Sequence, residues 1–125
     1  MLEIKDLTVR YGKQEPTVES FQLSMKKGEI VSIVGESGSG KTTVIRAVLG
    51  ALPGSGYISA GEIYFQGEAL TQKSGEEWRN LRGTRMSMIF QDCGGTLNPI
   101  RKIGKQYVEY ICTHSRVTRP QAWNK

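Results

Sequence analysis

Gly35-Glu36-Ser37-Gly38-Ser39-Gly40-Lys41-Thr42 constrains what this chain can fold into more than any other stretch of its 125 residues. The apolar run Glu29-Ile30-Val31-Ser32-Ile33-Val34 precedes it, and Val44, Ile45, Val48 and Leu49 form a helical stripe after it. Glycine, four residues, then Gly-Lys-Thr between a strand and a helix is the pattern of a phosphate-binding loop, the Walker A motif. Glycines at 35, 38 and 40 let the backbone turn tightly and aim successive N–H groups at a phosphate chain. Lys41 adds a positive charge near the terminal phosphates, and the Thr42 hydroxyl is a ligand for Mg²⁺. Ser37, Ser39 and Thr43 join the expected nucleotide-contacting set, whereas Glu36 is expected to point away. A helix opening near Gly40 directs its positive dipole end at the same anion.

The rest of the composition narrows the classes less sharply. No apolar run reaches the roughly eighteen residues a membrane-spanning helix needs. The start Met1-Leu2-Glu3-Ile4-Lys5-Asp6 carries charges where a secretory signal would carry an apolar block. Cys93 and Cys112 lack metal-ligand spacing, and a reduced cytosolic setting is expected for them. The net charge of +5 arises from 17 Lys and Arg against 12 Asp and Glu, spread along the chain without a dense block. Polyphosphate or a membrane surface accounts for such an excess as well as nucleic acid does, so charge alone decides nothing; only the spread of the charge together with Leu97-Asn98-Pro99 leads to the expectation of no nucleic-acid partner.

Taken in order, Leu2 and Ile4 alternate with polar residues, as do Leu7 and Val9, but the phase slips by one at Asp6. That predicts a strand with a bulge or two short pieces. Tyr11-Gly12-Lys13 is a turn, and Pro16 precedes a strand with Phe21, Leu23 and Met25 on one face. The β-branched run 29–34 predicts a strand covered on both faces. Gly50 is the expected stop of the helix that follows the glycine loop. Pro53-Gly54-Ser55-Gly56 reads as loop, Gly61 to Gly67 as a short strand, and Ser74 with Glu77 as a capping box opening a helix that ends at Gly83. Met86 to Phe90 predicts another strand, delivering Gln91 and Asp92 at its end. An amphipathic helix is expected from about Arg101 to Cys112, with Ile103, Tyr107, Val108 and Ile111 on its apolar face, which is expected to be exposed. Thr118 with Gln121 opens a last helix, and its early end at Lys125 reads as a chain cut short. His114, in a polar stretch, is expected to be a solvated surface residue.

Val9-Arg10-Tyr11-Gly12, Lys27-Gly28-Glu29, the glycine loop, Gly61-Glu62-Ile63 and Phe90-Gln91-Asp92 together resemble the ATP-binding subunits of ABC transporters. Gly-Glu-Ser-Gly-Ser-Gly-Lys with Leu97-Asn98-Pro99 resembles the dipeptide, oligopeptide and nickel importer branch. The resemblance implies an α/β P-loop NTPase of the ABC type with an antiparallel β subdomain, here cut short within its helical subdomain. Residues 1–28 and 57–70 would be mainly β subdomain, 29–50 and 86–92 the P-loop core, and 99–125 the start of the helical subdomain. It implies ATP and Mg²⁺ as cofactors, with Tyr11 stacking on the adenine, as an aromatic face can on any flat base. Gln91 matches the family's Q-loop glutamine, whose amide reaches Mg²⁺ and the γ-phosphate region. The implied partners are membrane permease subunits, docking at the loop 92–99 after Gln91, and a second ATP-binding subunit. An extracytoplasmic solute-binding protein follows indirectly. The implied location is peripheral, on the cytoplasmic face of a bacterial or archaeal membrane.

The same family pattern includes a Leu-Ser-Gly-Gly-Gln signature, a Walker B aspartate with a catalytic glutamate, and a switch histidine. None of these stands in the 125 residues; Gly94-Gly95 has no Leu-Ser before it and Thr96 after it. The chain by itself is therefore expected to bind nucleotide and to turn it over poorly or not at all. Two other readings remain open on the sequence. One is a non-catalytic nucleotide-binding fragment or remnant; the other is a small self-contained NTPase with Asp92, at the end of an apolar strand, as its Walker B aspartate.

Overall fold

The buried residues of the first strand are Ile4, Leu7 and Val9, a three-residue step followed by a two-residue step. A regular strand cannot put all three on one face, because successive side chains point to opposite sides. In the computed structural model, which describes residues 1–91 and 95–124, β1 (Leu2–Tyr11) accommodates the step with a bulge. Asp6 adopts the left-handed conformation, φ 47°, and the pairing with β3 (Gly56–Phe65) jumps from Lys5–Glu62 to Thr8–Ala60. Gly61 lies opposite the bulge at φ 88°, and any Cβ there would collide with the Asp6 carbonyl. Gln22 Nε2 donates to Asp6 Oδ1 at 2.5 Å from β2 (Val18–Met25). Of the two readings open at Asp6, a bulge or two short pieces, the structure has the bulge, pinned from both neighbouring strands.

β2, β1, β3 and the short β4 (Glu68–Ala69) form an antiparallel sheet in the order β2-β1-β3-β4. β3 begins at Gly56, so the segment read as a short strand from Gly61 is longer than expected. Gln66 and Gly67, both with positive φ, make the tight turn into β4, as a two-residue hairpin requires. Helix α1 (Lys41–Val48) packs Val44 and Ala47 into the core with Ile4, Leu7, Val9, Ile63 and Phe65. Its C-terminus is a Schellman stop: Gly50 N–H donates to Ala47 O at 3.0 Å and Ala51 N–H to Arg46 O at 2.8 Å. Gly50 has φ 58°, the conformation this motif demands. Ile45, read as part of the helical stripe, is exposed, because the core-facing arc is set by Val44, Ala47 and Leu49.

Two expected strands do not form. Residues 29–34 pair with nothing in a ladder, and Ile30 is 96% and Val34 89% exposed. Residues 86–90 are reduced to one isolated parallel bridge between Met86 and Arg82, with Ile89 90% exposed. A β-branched run favours a strand by packing against neighbours on a pleated surface. Among the described residues no adjacent strand supplies the hydrogen bonds that would hold either run.

The chain divides into two compact units, Met1–Arg79 and Asn80–Lys125. Helix α2 (Gly75–Leu81) opens with the expected capping box: Ser74 N–H donates to Glu77 Oε2 at 2.8 Å, and Glu77 N–H to Ser74 Oγ at 3.4 Å. The Ser74 backbone bond, the Ser74 hydroxyl and nearby Lys73 hold the Glu77 carboxyl below its ordinary value. Its ionised form is thus favoured by folding, a contribution present above the unfolded carboxylate's pKa and lost as pH falls through the lower folded one. In denaturation titrations, Glu77→Gln is expected to flatten the loss of stability across that acidic window; an unchanged slope would remove Glu77 from it.

In the second unit, α3 (Ile103–His114) packs on α4 (Arg119–Trp123), burying Val108 and Ala122. The close approach runs over Gly104, where a Cβ would stand 2.6 Å from Trp123 Cη2. Ile103 and Tyr107 are exposed, as is Tyr110, so the expected exposed apolar face is there. Val108 is buried instead, so the stripe read as one face divides between solvent and the interior. Thr118 N–H donates to Gln121 Oε1 at 2.9 Å, as its capping pattern predicts. His114 is not solvated as expected. Its ring lies 4.5 Å from that of Tyr110, centroid to centroid, and packs over Gly83, φ 79°, leaving no room for a Cβ.

Candidate functional site

The loop 35–40 turns between the irregular run before it and the first turn of α1. Gly38 at φ 82° and Gly40 at φ 83° occupy backbone conformations that L side chains rarely adopt. Gly40 is the N-cap of α1, and a Cβ there would stand 2.7 Å from Thr17 O and 2.8 Å from Val18 Cγ2. Its lack of a side chain lets the mouth of the loop rest against the start of β2. A Cβ on Gly35 would stand 2.8 Å from Ser39 Oγ, so the loop closes on itself at its two ends.

The Lys41 ammonium folds back over this loop. It donates to Gly35 O at 2.8 Å, to Ser39 Oγ at 3.3 Å and to Glu36 O. Three oxygens thus hold the ammonium where a phosphate oxygen would compete for it. Ser37, Ser39 and Thr42 are exposed, and no acidic residue stands in the first turn of α1. Positive charge, hydroxyl donors and a glycine-built turn at a helix N-terminus fit a phosphate chain. Among the described residues no cluster of three or more His, Cys, Asp and Glu could hold a metal ion. A cation here would therefore take its oxygens from hydroxyls such as that of Thr42, from phosphate and from water, as Mg²⁺ does.

Tyr11, at the end of β1, comes to the same place. Its hydroxyl lies 3.5 Å from Thr43 Oγ1, on the first turn of α1. Its ring lies across Gly56, the residue paired with it on β3, where a Cβ would stand 2.7 Å from Tyr11 Cε1. Of the residues read from the sequence, the structure thus brings together Tyr11, Gly35, Ser37, Gly38, Ser39, Gly40, Lys41, Thr42 and Thr43. Gln91 belongs to the second unit and sits exposed at a bend, not at the end of a strand. Asp92, the alternative Walker B residue, lies outside the described residues. Gly56 was hidden in the sequence: within Pro53-Gly54-Ser55-Gly56 it reads as one more turn residue, and only cross-strand register reveals what lies on it.

Comparison with solved structures gives the fold a name. The dimeric ATP-binding cassette MJ0796 in a post-hydrolysis state bound to ADP and Pi aligns with a TM-score of 0.78 at 22% identity, over 99% of this chain and 55% of that one. A second dimeric structure of the MJ0796 ABC transporter cassette aligns with a TM-score of 0.81, over 99% of this chain and 53% of that one. The architecture is thus that of an α/β P-loop cassette. The oligopeptide transport ATP-binding protein OppD of Bacillus subtilis (strain 168) is 39% identical over 98% of this chain and 35% of its own length. The dipeptide transport ATP-binding protein DppD of Escherichia coli (strain K12) is 38% identical over 91% of this chain and 36% of its own. The chain spans about a third of the length of these curated relatives. The ABC transporter family itself matches residues 18–123, taking in the glycine loop, the α1 helix and Gln91 alike, and the chain belongs to that family.

Proposed function

We propose that this chain is the nucleotide-holding part of an ATP-binding subunit that couples ATP binding and hydrolysis to peptide import. The observation that carries the reading is the glycine-built loop at the N-terminus of α1, with Lys41 folded over it and Tyr11 beside Thr43. Tyr11 offers its face to the adenine, residues 35–43 take the phosphates, Thr42 serves the Mg²⁺, and Gln91 is the Q-loop glutamine that the family pattern implies. The loop following Gln91 meets a membrane permease subunit, and a second ATP-binding subunit completes the site. Peptide as the solute, rather than nickel, is favoured by relatives whose names specify oligopeptide and dipeptide transport. A peripheral place on the cytoplasmic face follows from the same reading. The β1–β4 sheet corresponds to the antiparallel subdomain and α3–α4 to the beginning of the helical one.

The isolated chain is expected to bind Mg-ATP without releasing phosphate faster than a Lys41→Ala control. Orienting the attacking water calls for a positioned carboxylate, and the residue directly after Asp92 is Cys93, not a carboxylate. Titration calorimetry and a steady-state phosphate assay test the two halves. Turnover well above the control would favour the self-contained NTPase that uses Asp92. Tyr11→Ala is expected to weaken ATP binding about fivefold or more, since base–aromatic stacking is worth about 1–3 kcal/mol; an unchanged affinity would take Tyr11 out of the site.

A further inference from the structure

Tyr11 is held in its place by Thr43, beside the phosphate loop, and by Gly56, which has no nucleotide contact in the reading above. The ring lies over Gly56, whose missing side chain provides the room: a Cβ there would stand 2.7 Å from Tyr11 Cε1, 3.1 Å from Leu52 Cβ and 3.1 Å from Pro53 O. The backbone locks this arrangement, because Tyr11 and Gly56 are register partners and Gly12 N–H donates to Ser55 O at 3.3 Å. At its far end the hydroxyl reaches Thr43 Oγ1 on α1, at 3.5 Å. Gly56 lies outside the left-handed region of φ, so conformational freedom does not explain a glycine at this position. The space beneath the ring does.

The geometry points to Gly56 as a positioning residue that sets the plane of Tyr11, with the Thr43 contact tying that plane to the phosphate loop, so that the pair determines how well a nucleoside base is held. This rests on the nucleotide reading above and deepens it: specificity for a base-bearing triphosphate over a bare one would reside partly in a glycine remote from the phosphates. An aromatic ring covering a cross-strand glycine also stabilises a sheet, so the test needs a readout that mere stability would not move.

That readout is the ratio of affinities for ATP and for tripolyphosphate, which has phosphates and no base, measured by calorimetry on the whole chain. Gly56→Ala is expected to weaken ATP about fivefold while leaving tripolyphosphate unchanged. In a Tyr11→Ala background it is expected to have no further effect on ATP, because it acts through the ring. Equal losses for both ligands, an unchanged ratio, or a full effect without the ring would each overturn the proposal. Where Gly56→Ala fails to fold by circular dichroism, Tyr11→Phe decides: it keeps the ring and loses the Thr43 contact, and about a twofold fall in the ratio is expected. No change in the ratio overturns the proposal. Binding of neither probe by the unaltered chain overturns the nucleotide reading and this inference with it, whereas tight ATP binding indifferent to Gly56 overturns the inference alone.

Discussion

Replacing Lys41 with alanine is expected to raise the dissociation constant for ATP by about 10- to 100-fold while leaving adenosine binding unchanged. A hydrogen bond to a charged group contributes about 1.5–3 kcal/mol, and each 1.4 kcal/mol is about tenfold in affinity. The effect is capped by what Lys41 already does. Its ammonium donates to Gly35 O, Glu36 O and Ser39 Oγ, so phosphate binding replaces existing bonds rather than satisfying a bare cation. Adenosine separates the base platform from the phosphate cradle, because it lacks the group Lys41 would grip. Titration of the variant with both ligands checks the expectation. An equal loss for adenosine would mean that Lys41 maintains the shape of the loop and does not bind phosphate.

The largest expected loss of stability comes from Gly61→Ala. A left-handed conformation costs a non-glycine residue about 1–2 kcal/mol, and Gly61 has φ 88°. The added methyl would also meet the Asp6 carbonyl oxygen and carbon and the Lys5 carbonyl oxygen. These are backbone atoms of a paired strand, so no flexible side chain can yield, and overpacking adds about 1–3 kcal/mol. The sum is about 2–5 kcal/mol. Gly67→Ala isolates the collision, since Gly67 has a similar φ of 84° and nothing within 4 Å of its would-be Cβ. Urea denaturation should show Gly61→Ala losing clearly more than Gly67→Ala. Equal losses would mean that β1 can shift to absorb the methyl, and the register would then not depend on that contact.

Features decided by local chemistry were legible in the sequence. Leu2 and Ile4 out of phase with Leu7 and Val9 marked an irregularity at Asp6, a bulge or a break, because side-chain parity cannot slip within a regular strand. Ser74 with Glu77, Thr118 with Gln121, and Gly50 after an apolar stripe announced caps and a stop in the same way. Features decided by neighbours were not. The run 29–34 has the composition of a buried strand, but burial requires flanking chains, and Ile30 and Val34 face solvent. Met86 to Phe90 fails for the same reason, keeping one bridge to Arg82. His114 has polar neighbours in sequence, yet tertiary packing sets it on Gly83 and beside Tyr110. In the site, the loop and Tyr11 were visible as residue types. Their closeness through Thr43 and Gly56 depends on strand register that no spacing encodes.

The Asp6 bulge has an effect at the far end of its strand. Before it, the inward positions of β1 include even-numbered Ile4; after it, they are the odd-numbered Leu7 and Val9. Tyr11 inherits that odd parity, which is why its hydroxyl reaches across to α1 at Thr43. With a regular strand, the same tyrosine would leave from the opposite side of the sheet, away from the glycine loop. One irregular residue near the N-terminus thus exchanges the two sides of the strand, aiming an aromatic ring that stands five positions later in the sequence.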